Sequence, residues 1–217
     1  MRRAFPQRIA CVGDVHAEDR RLAAALAEAA ARRVDAVLCV GDLVDGVGDV
    51  DRAIAALRGA GAATVRGNHD RWFLAGTNRD LRDATGAASP ESRAYLEGLP
   101  ATLRLRTAAG ELLLCHGVGD DDMAELRADT DGYALACVDR LPALIADPAL
   151  AFMVGGHTHA PMLRRFAGAP GLVVFNPGTL RGDAACFFIV DLVAAQASMI
   201  PVDDRGCGPA RALTWPR

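Results

Sequence analysis

Five histidines occur in this 217-residue chain: His16, His69, His116, His157 and His159. Each stands in a short polar cluster, and Asp14, Asp42 and Asn68 complete the set. Imidazole and carboxylate donors without thiolate suit Zn²⁺, Fe or Mn²⁺, whereas carboxylates alone would favour Mg²⁺. The two oxygens of one carboxylate can reach two cations. A pair of cations ~3.5–4 Å apart can share a hydroxide and grip the oxygens of a phosphate ester. In extended backbone, residues two apart point to the same side, so Asp14 with His16, and His157 with His159, would each face one place. A lone histidine at a strand end is more often a cap or a packing residue. Here every histidine in the chain belongs to such a cluster, which favours a site.

The elements that must carry these clusters follow one repeated pattern, in which a short apolar run ends in glycine and a polar residue. Ile9 to Val12 precedes Gly13-Asp14, and Ala36 to Val40 precedes Gly41-Asp42. Ala62 to Val65 precedes Arg66-Gly67-Asn68-His69, Leu112 to Cys115 precedes His116-Gly117, and Ala151 to Val154 precedes Gly155-Gly156-His157-Thr158-His159. Such runs predict buried strands. Glu18 to Arg33 carries Leu22, Leu26 and Ala29 or Ala30 at helical spacing, and Asp51 to Arg58 carries Ile54 and Leu57 before Gly59 and Gly61. Strand–helix–strand–helix–strand is the order of an α/β sheet with parallel strands, whose ligands gather beyond the carboxyl ends. Leu172 to Phe175, Ala185 to Leu192 and Gln196 to Val202 predict consecutive strands, hence a mixed or second sheet. From Asp203 the pattern fades, and residues 203–217 are expected to be loose or an irregular strap on a single domain spanning 1–217.

Bulk properties narrow the function classes. The formal net charge is −3, which disfavours nucleic acid because a phosphate backbone needs a clustered cationic face. Every basic side chain is arginine, which composition bias explains. The six cysteines form no C-x-x-C pair and sit mostly in apolar runs, so reduced, buried thiols are expected. Met1-Arg2-Arg3 is basic, but the apolar stretch after it is too short for a secretory signal. No apolar run approaches the ~20 residues that span a bilayer. The expectation is a cytoplasmic protein. A nucleotide-binding reading at Gly41 or Gly117-Val118-Gly119 lacks a complete G-x-G-x-x-G or Walker A run.

In order, Asp14-Val15-His16, Gly41-Asp42, Gly67-Asn68-His69-Asp70, His116-Gly117 and Gly156-His157-Thr158-His159 resemble the motifs of the calcineurin-like metallophosphoesterases. They span residues 14 to 159, and Asn176-Pro177-Gly178-Thr179 resembles the loop after the last histidine motif in compact bacterial and archaeal members. The resemblance implies a four-layer α/β/β/α sandwich of two mixed sheets flanked by helices. It implies two divalent cations, among which Mn is favoured over Fe, Zn or Ni. Asp14, His16 and His159 would hold one cation, Asn68, His116 and His157 the other, and Asp42 would bridge them. His69 matches the histidine that approaches the phosphate and protonates or stabilises the leaving oxygen, beside Asn68. The expected activity is hydrolysis of a small phosphate mono- or diester.

Several neighbours carry two readings each. Gly41-Asp42-Leu43-Val44-Asp45 resembles the protein-phosphatase form of the second motif, in which the later aspartate orients the catalytic histidine. Asp45 would then pair with His69, or else merely cap a turn before Gly46. Where that pattern continues with arginine, this chain has Gly46, which weakens a protein-phosphatase assignment. Asp70 either backs the metal ligands or is simply a turn residue, the latter being favoured. Arg181 could hold a substrate phosphate bidentately, or be an exposed surface arginine. Asp120-Asp121-Asp122 with Glu125, Asp129 and Asp131 reads as a substrate-selecting lid or as a solvated acidic stretch. The alternative to an enzyme is a metal-stabilised interaction scaffold, since a eukaryotic sorting-coat subunit is similar to the family yet catalytically incompetent. Such a scaffold is expected to replace the histidine that follows the asparagine, and His69 is present.

Overall fold

β-branched runs closed by glycine become strands, and periodic alanine- and leucine-rich stretches become helices, in the computed structural model, which describes residues 5–168 and 171–216. The basic start Met1-Arg2-Arg3 lies outside the described residues. The first half runs β1 (Arg8–Val12), α1 (Asp19–Ala31), β2 (Ala36–Cys39), α2 (Val50–Gly59), β3 (Ala63–Thr64) and α3 (Asn68–Ala75). As the alternation predicts, β1 pairs with β2 and β2 with β3 in parallel. Leu22, Ala25 and Ala29 line the buried stripe of α1, and Ala53, Ile54 and Leu57 that of α2. The Asp49 side chain accepts the Arg52 N–H and so caps the start of α2.

Beyond these come α4 (Pro90–Glu97), β4 (Leu103–Thr107), β5 (Gly110–Leu114), α5 (Gly132–Ala136), α6 (Leu141–Ala146) and β6 (Leu150–Val154). β7 (Met162–Phe166), β8 (Leu172–Asn176), β9 (Cys186–Asp191), β10 (Gln196–Asp203), β11 (Gly206–Cys207) and β12 (Arg211–Leu213) complete the chain. One mixed sheet has the order β11-β10-β9-β1-β2-β3, with β12 also on β10, and the other has the order β4-β5-β6-β8-β7. The three late runs are strands but do not form one meander. β8 lies parallel to β6 in the second sheet, while β9 and β10 extend the first sheet antiparallel to β1.

The residues after Asp203, expected to be irregular, instead form β11 and β12 against β10, and Trp215 packs 5.6 Å from Phe175 ring to ring. Glycine and proline interrupt the strand alternation here, and the free edge of β10 supplies the pairing that local sequence does not announce.

Strand alternation divides the apolar side chains into three cores. Ala10 and Val12 of β1 face α1 and α2, while Ile9 and Cys11 face the second sheet with Leu112, Leu114, Phe152 and Phe175. Leu113, Met153 and Val174 face away, onto Leu141 of α6 and the loops near it. Three cores between four layers make the sandwich: two mixed sheets face to face, flanked by helices. Burying a side chain such as Leu22 or Phe175 contributes about 1.5–3 kcal/mol. All six cysteines are free; Cys11, Cys39, Cys115 and Cys186 are buried, and Cys137 is exposed. Among the described residues, no helix is long and apolar enough to cross a membrane.

Candidate metal centre

Backbone hydrogen bonds tie the loop beyond β1 to those beyond β2 and β8 and the loop beyond β5 to that beyond β6, and the His69 N–H ties the start of α3 to the Asp42 carboxylate. The His16 N–H donates to Asp42 O at 2.7 Å, the Leu180 N–H to Asp14 O at 3.3 Å, and the Gly156 N–H to His116 O. The structure therefore brings Asp14, His16, Asp42, Asn68, His69, His116, His157 and His159 together. The reason differs from the extended-backbone expectation. Asp14, His16, Asp42, Asp45, His157 and His159 are all at positive φ, between 40° and 66°. These six are the majority of the ten non-glycine residues found there among the described residues, and such conformations cost on the order of 1–3 kcal/mol each. The chain turns sharply at each strand end, and tertiary contacts hold the turns.

Asp14, His16, Asp42 and His159 each offer one donor atom, and those atoms lie within 4.8 Å of one another. His16 Nδ1 donates to Asp45 O at 2.9 Å and lies 3.2 Å from Val44 O, which leaves Nε2 as a bare lone pair. That lone pair faces His159 Nε2 at 3.0 Å. Burial lowers the pKa of both rings, that of His159 to about 4 with help from His16, so both are neutral. Asp14 Oδ2 is the one buried side-chain polar atom without a hydrogen-bond partner among the described residues. Burial raises the Asp14 carboxyl to about 7. An orphaned carboxylate oxygen beside an inward-facing imidazole nitrogen is costly without a ligand and suited to a cation. The residues fit a divalent metal.

A second set adjoins the first. Asn68 Oδ1 lies 2.8 Å from His116 Nε2 and 3.1 Å from His157 Nδ1, and Asp42 Oδ2 lies 3.4 Å from His116 Nε2 and 3.8 Å from His16 Nε2. Asp42 thus stands between the two sets. Its carboxyl is held below the ordinary range: burial opposes this, but the neighbouring His116 and His16 outweigh burial.

His116 Nδ1 donates to Val40 O at 2.7 Å, and its Nε2 meets Asn68 Oδ1. Two acceptors require two ring protons in the metal-free protein. Burial opposes that charge, yet Asp42 and Asp14 push the pKa up to about 10. Ligation would replace the Nε2 proton. Cation loading at neutral pH is therefore expected to release about one to two protons, from His116 and in part from Asp14, and affinity is expected to rise with pH until both are deprotonated. Calorimetric heats that vary with buffer ionisation enthalpy would report the release, and buffer-independent heats would refute it.

Asp42 is placed by the start of α3. Its Oδ1 accepts the His69 N–H at 2.9 Å, where the helix dipole favours a carboxylate. Asp70, read from sequence as a turn residue, is fully buried and ties the same junction. It accepts from Gly67 N at 2.9 Å and from Leu43 N at 2.8 Å, and burial raises its pKa to about 7. A Cβ on Gly67 would strike the Asp42 carboxylate. Gly67→Ala is expected to weaken metal binding about 10- to 100-fold, the scale of losses when a ligand is misplaced. Titration by calorimetry checks this, and wild-type affinity would show that Asp42 is not a ligand.

Beside the donors, His69 Nδ1 lies 2.8 Å from Asp45 Oδ2. Arg79 donates to both Asp45 oxygens at 2.6 and 2.9 Å, and the Thr85 N–H donates to Oδ1 at 2.9 Å. Burial works against the Asp45 charge, but these bonds lower its pKa to about 2. An ionised carboxylate only accepts, so His69 carries its proton on Nδ1 and leaves Nε2 for a substrate. Burial likewise opposes the His69 charge, and Asp45 and Asp42 overcome it, raising the pKa.

Arg181 is 41% exposed and donates to Asp83 at 2.6 Å, while its backbone N–H donates to Thr179, which is bound to Asp14 O. In the acidic stretch, Asp122 takes two bonds from Arg71 of α3, and Asp120 pairs with Arg140. Sequence reading did not single out Arg79 or Thr85. Both lie in the unpatterned 76–89 segment, and nothing separates Arg79 from the other arginines of the chain.

The sequence of the calcineurin-like phosphoesterase superfamily domain matches residues 8–194. A metallophosphoesterase from Sphaerobacter thermophilus superposes with a TM-score of 0.66 at 24% identity, covering 94% of this chain and 89% of that one. Yfce, a phosphoesterase from E. coli, superposes at 0.55 with 17% identity, covering 95% and 100%. Vps29 from Entamoeba histolytica superposes at 0.50 with 16% identity, covering 95% and 99%. At these identities the superpositions show the shared fold. No curated protein matches the chain. With the domain match across most of its length, this chain belongs to the calcineurin-like phosphoesterase superfamily.

Proposed function

We propose that the protein hydrolyses a small phosphate mono- or diester with two divalent cations, Mn favoured, and that His69 is the acid for the leaving group. The observation that carries this reading is the buried donor cluster with its unpartnered Asp14 Oδ2, set beside the His69–Asp45 pair. Asp14, His16 and His159 would hold one cation, Asn68, His116 and His157 the other, with Asp42 shared. The bound cations would supply Lewis acidity and an activated water.

The side chains do the remainder. From the start of α3, Asn68 and His69 would face the phosphate, with Arg181, held by Asp83, as a further contact to it. Hydrolysis forms a bond from water oxygen to phosphorus and breaks the bond to the leaving oxygen. The Nε2 proton of His69 passes to that oxygen, and the proton given up by water reaches solvent and restores the imidazolium. Asp45 keeps the ring in the orientation and tautomer that this transfer needs.

The test is turnover of aryl phosphate monoesters, aryl diesters and cyclic nucleotides with Mn²⁺, Ni²⁺, Zn²⁺ or Mg²⁺ added to chelator-treated protein. Metal-dependent turnover of one ester class supports the reading. Metal binding without turnover of any of them would favour the scaffold alternative.

A further inference from the structure

The 76–89 segment between α3 and α4 folds back onto the site through Arg79 and Thr85, and Thr85 Oγ1 accepts the Asp45 N–H at 2.9 Å. His69 and Phe73 lie one helical turn apart on α3. The Arg79 guanidinium sits 5.5 Å from the Phe73 ring centroid and is only 24% exposed. From there Nη1 reaches Asp45 Oδ2 and Nη2 reaches Asp45 Oδ1 and Thr85 O. Asp45 itself is 2% exposed and stands at φ 66°, so its own backbone does not favour this pose. A carboxylate offers about four acceptor sites. Three are filled by donors from 76–89, two from Arg79 and one from Thr85 N, and the fourth takes His69 Nδ1. Without the fork, only the Thr85 N–H on Oδ1 and the His69 ring would hold the Asp45 carboxylate, which could then tilt, and a buried carboxylate would lose its main counter-charge.

We infer that Arg79 is a positioning residue for the acid step, its guanidinium locking Asp45 so that Asp45 in turn fixes the His69 imidazole toward the leaving oxygen. The inference rests on the reading of His69 as the acid. Arg79 touches neither the donor cluster nor the substrate in this role. Its loss should therefore spare metal binding and the attack of water, and should be felt where protonation of the leaving group matters.

That consequence separates positioning from general structural support. Phenolate leaves poorly and needs a proton, whereas 4-nitrophenolate leaves well without one. Arg79→Ala and Arg79→Lys are compared with the unaltered protein on phenyl and 4-nitrophenyl esters of the class it turns over, with metal content and kcat and KM measured separately. For Arg79→Ala the loss in kcat is expected to be at least ~10-fold larger on the phenyl ester, with metal content and KM retained, a share of the ~10²–10⁴-fold effect of a general acid. Arg79→Lys keeps the charge but not the two-pronged geometry, and is expected to recover only part of the phenyl-ester rate. Equal losses on both esters, or none, would overturn the inference, and so would loss of metal in the folded Lys variant. His69→Ala on the same pair distinguishes the levels. A leaving-group-dependent loss there with a uniform loss in Arg79→Ala removes only the role of Arg79, whereas a uniform loss in His69→Ala removes the acid itself and this inference with it.

Discussion

Asp42→Asn is expected to lose metal and turnover together, with metal affinity falling at least ~100-fold, the upper end of what losing a supporting partner alone costs. The substitution keeps the volume and an oxygen to accept the His69 N–H, so the start of α3 should keep its cap. What it removes is the negative charge between His16 and His116, at 3.8 and 3.4 Å. Asp42 adds to the raised carboxyl pKa values of Asp14 and Asp70 but is itself held low by His116 and His16, so its neutralisation relieves one repulsion and removes one attraction in the metal-free protein. The fold is expected to survive with reduced stability. Metal per chain by elemental analysis, far-UV circular dichroism and turnover check this on one sample. A folded Asp42→Asn protein with wild-type metal content would place the bridging charge elsewhere.

His69→Ala should do the opposite to metal: full occupancy, with kcat on a poor leaving group down ~10²–10⁴-fold. His69 contributes no donor atom to the four-residue cluster, and its side chain is about one-fifth exposed. Removing the ring leaves Asp45 still held by Arg79 and Thr85, so no buried carboxylate is stranded. The effect should shrink on 4-nitrophenyl esters, because a good leaving group needs little protonation. Unchanged turnover on the phenyl ester would show that another group, or solvent, supplies the proton.

Which polar residues the strand-end loops gather was legible in the sequence because chemistry limits the choice. Five histidines, two aspartates and an asparagine fall at glycine-closed ends of apolar runs, and β1, β2, β3, β5 and β6 form where those runs are. Periodicity likewise marked α1 and α2, and the β-rich end of the chain. These are local signals, carried by neighbours within a turn or a strand. The tertiary structure decided three other things. It set the backbone of Asp14, His16, His157 and His159 at positive φ instead of extended, which only contacts between loops can hold. It sent β8 and β9 to different sheets and drew β11 and β12 onto β10, because pairing depends on which edges are free. It also brought Arg79 onto Asp45, 34 residues away, and buried Asp70 where it accepts the Leu43 N–H. Sequence spacing records which groups are available within a few residues; hydrogen-bond partners separated by dozens of residues are chosen only when the layers close and leave each buried charge to find its counterpart.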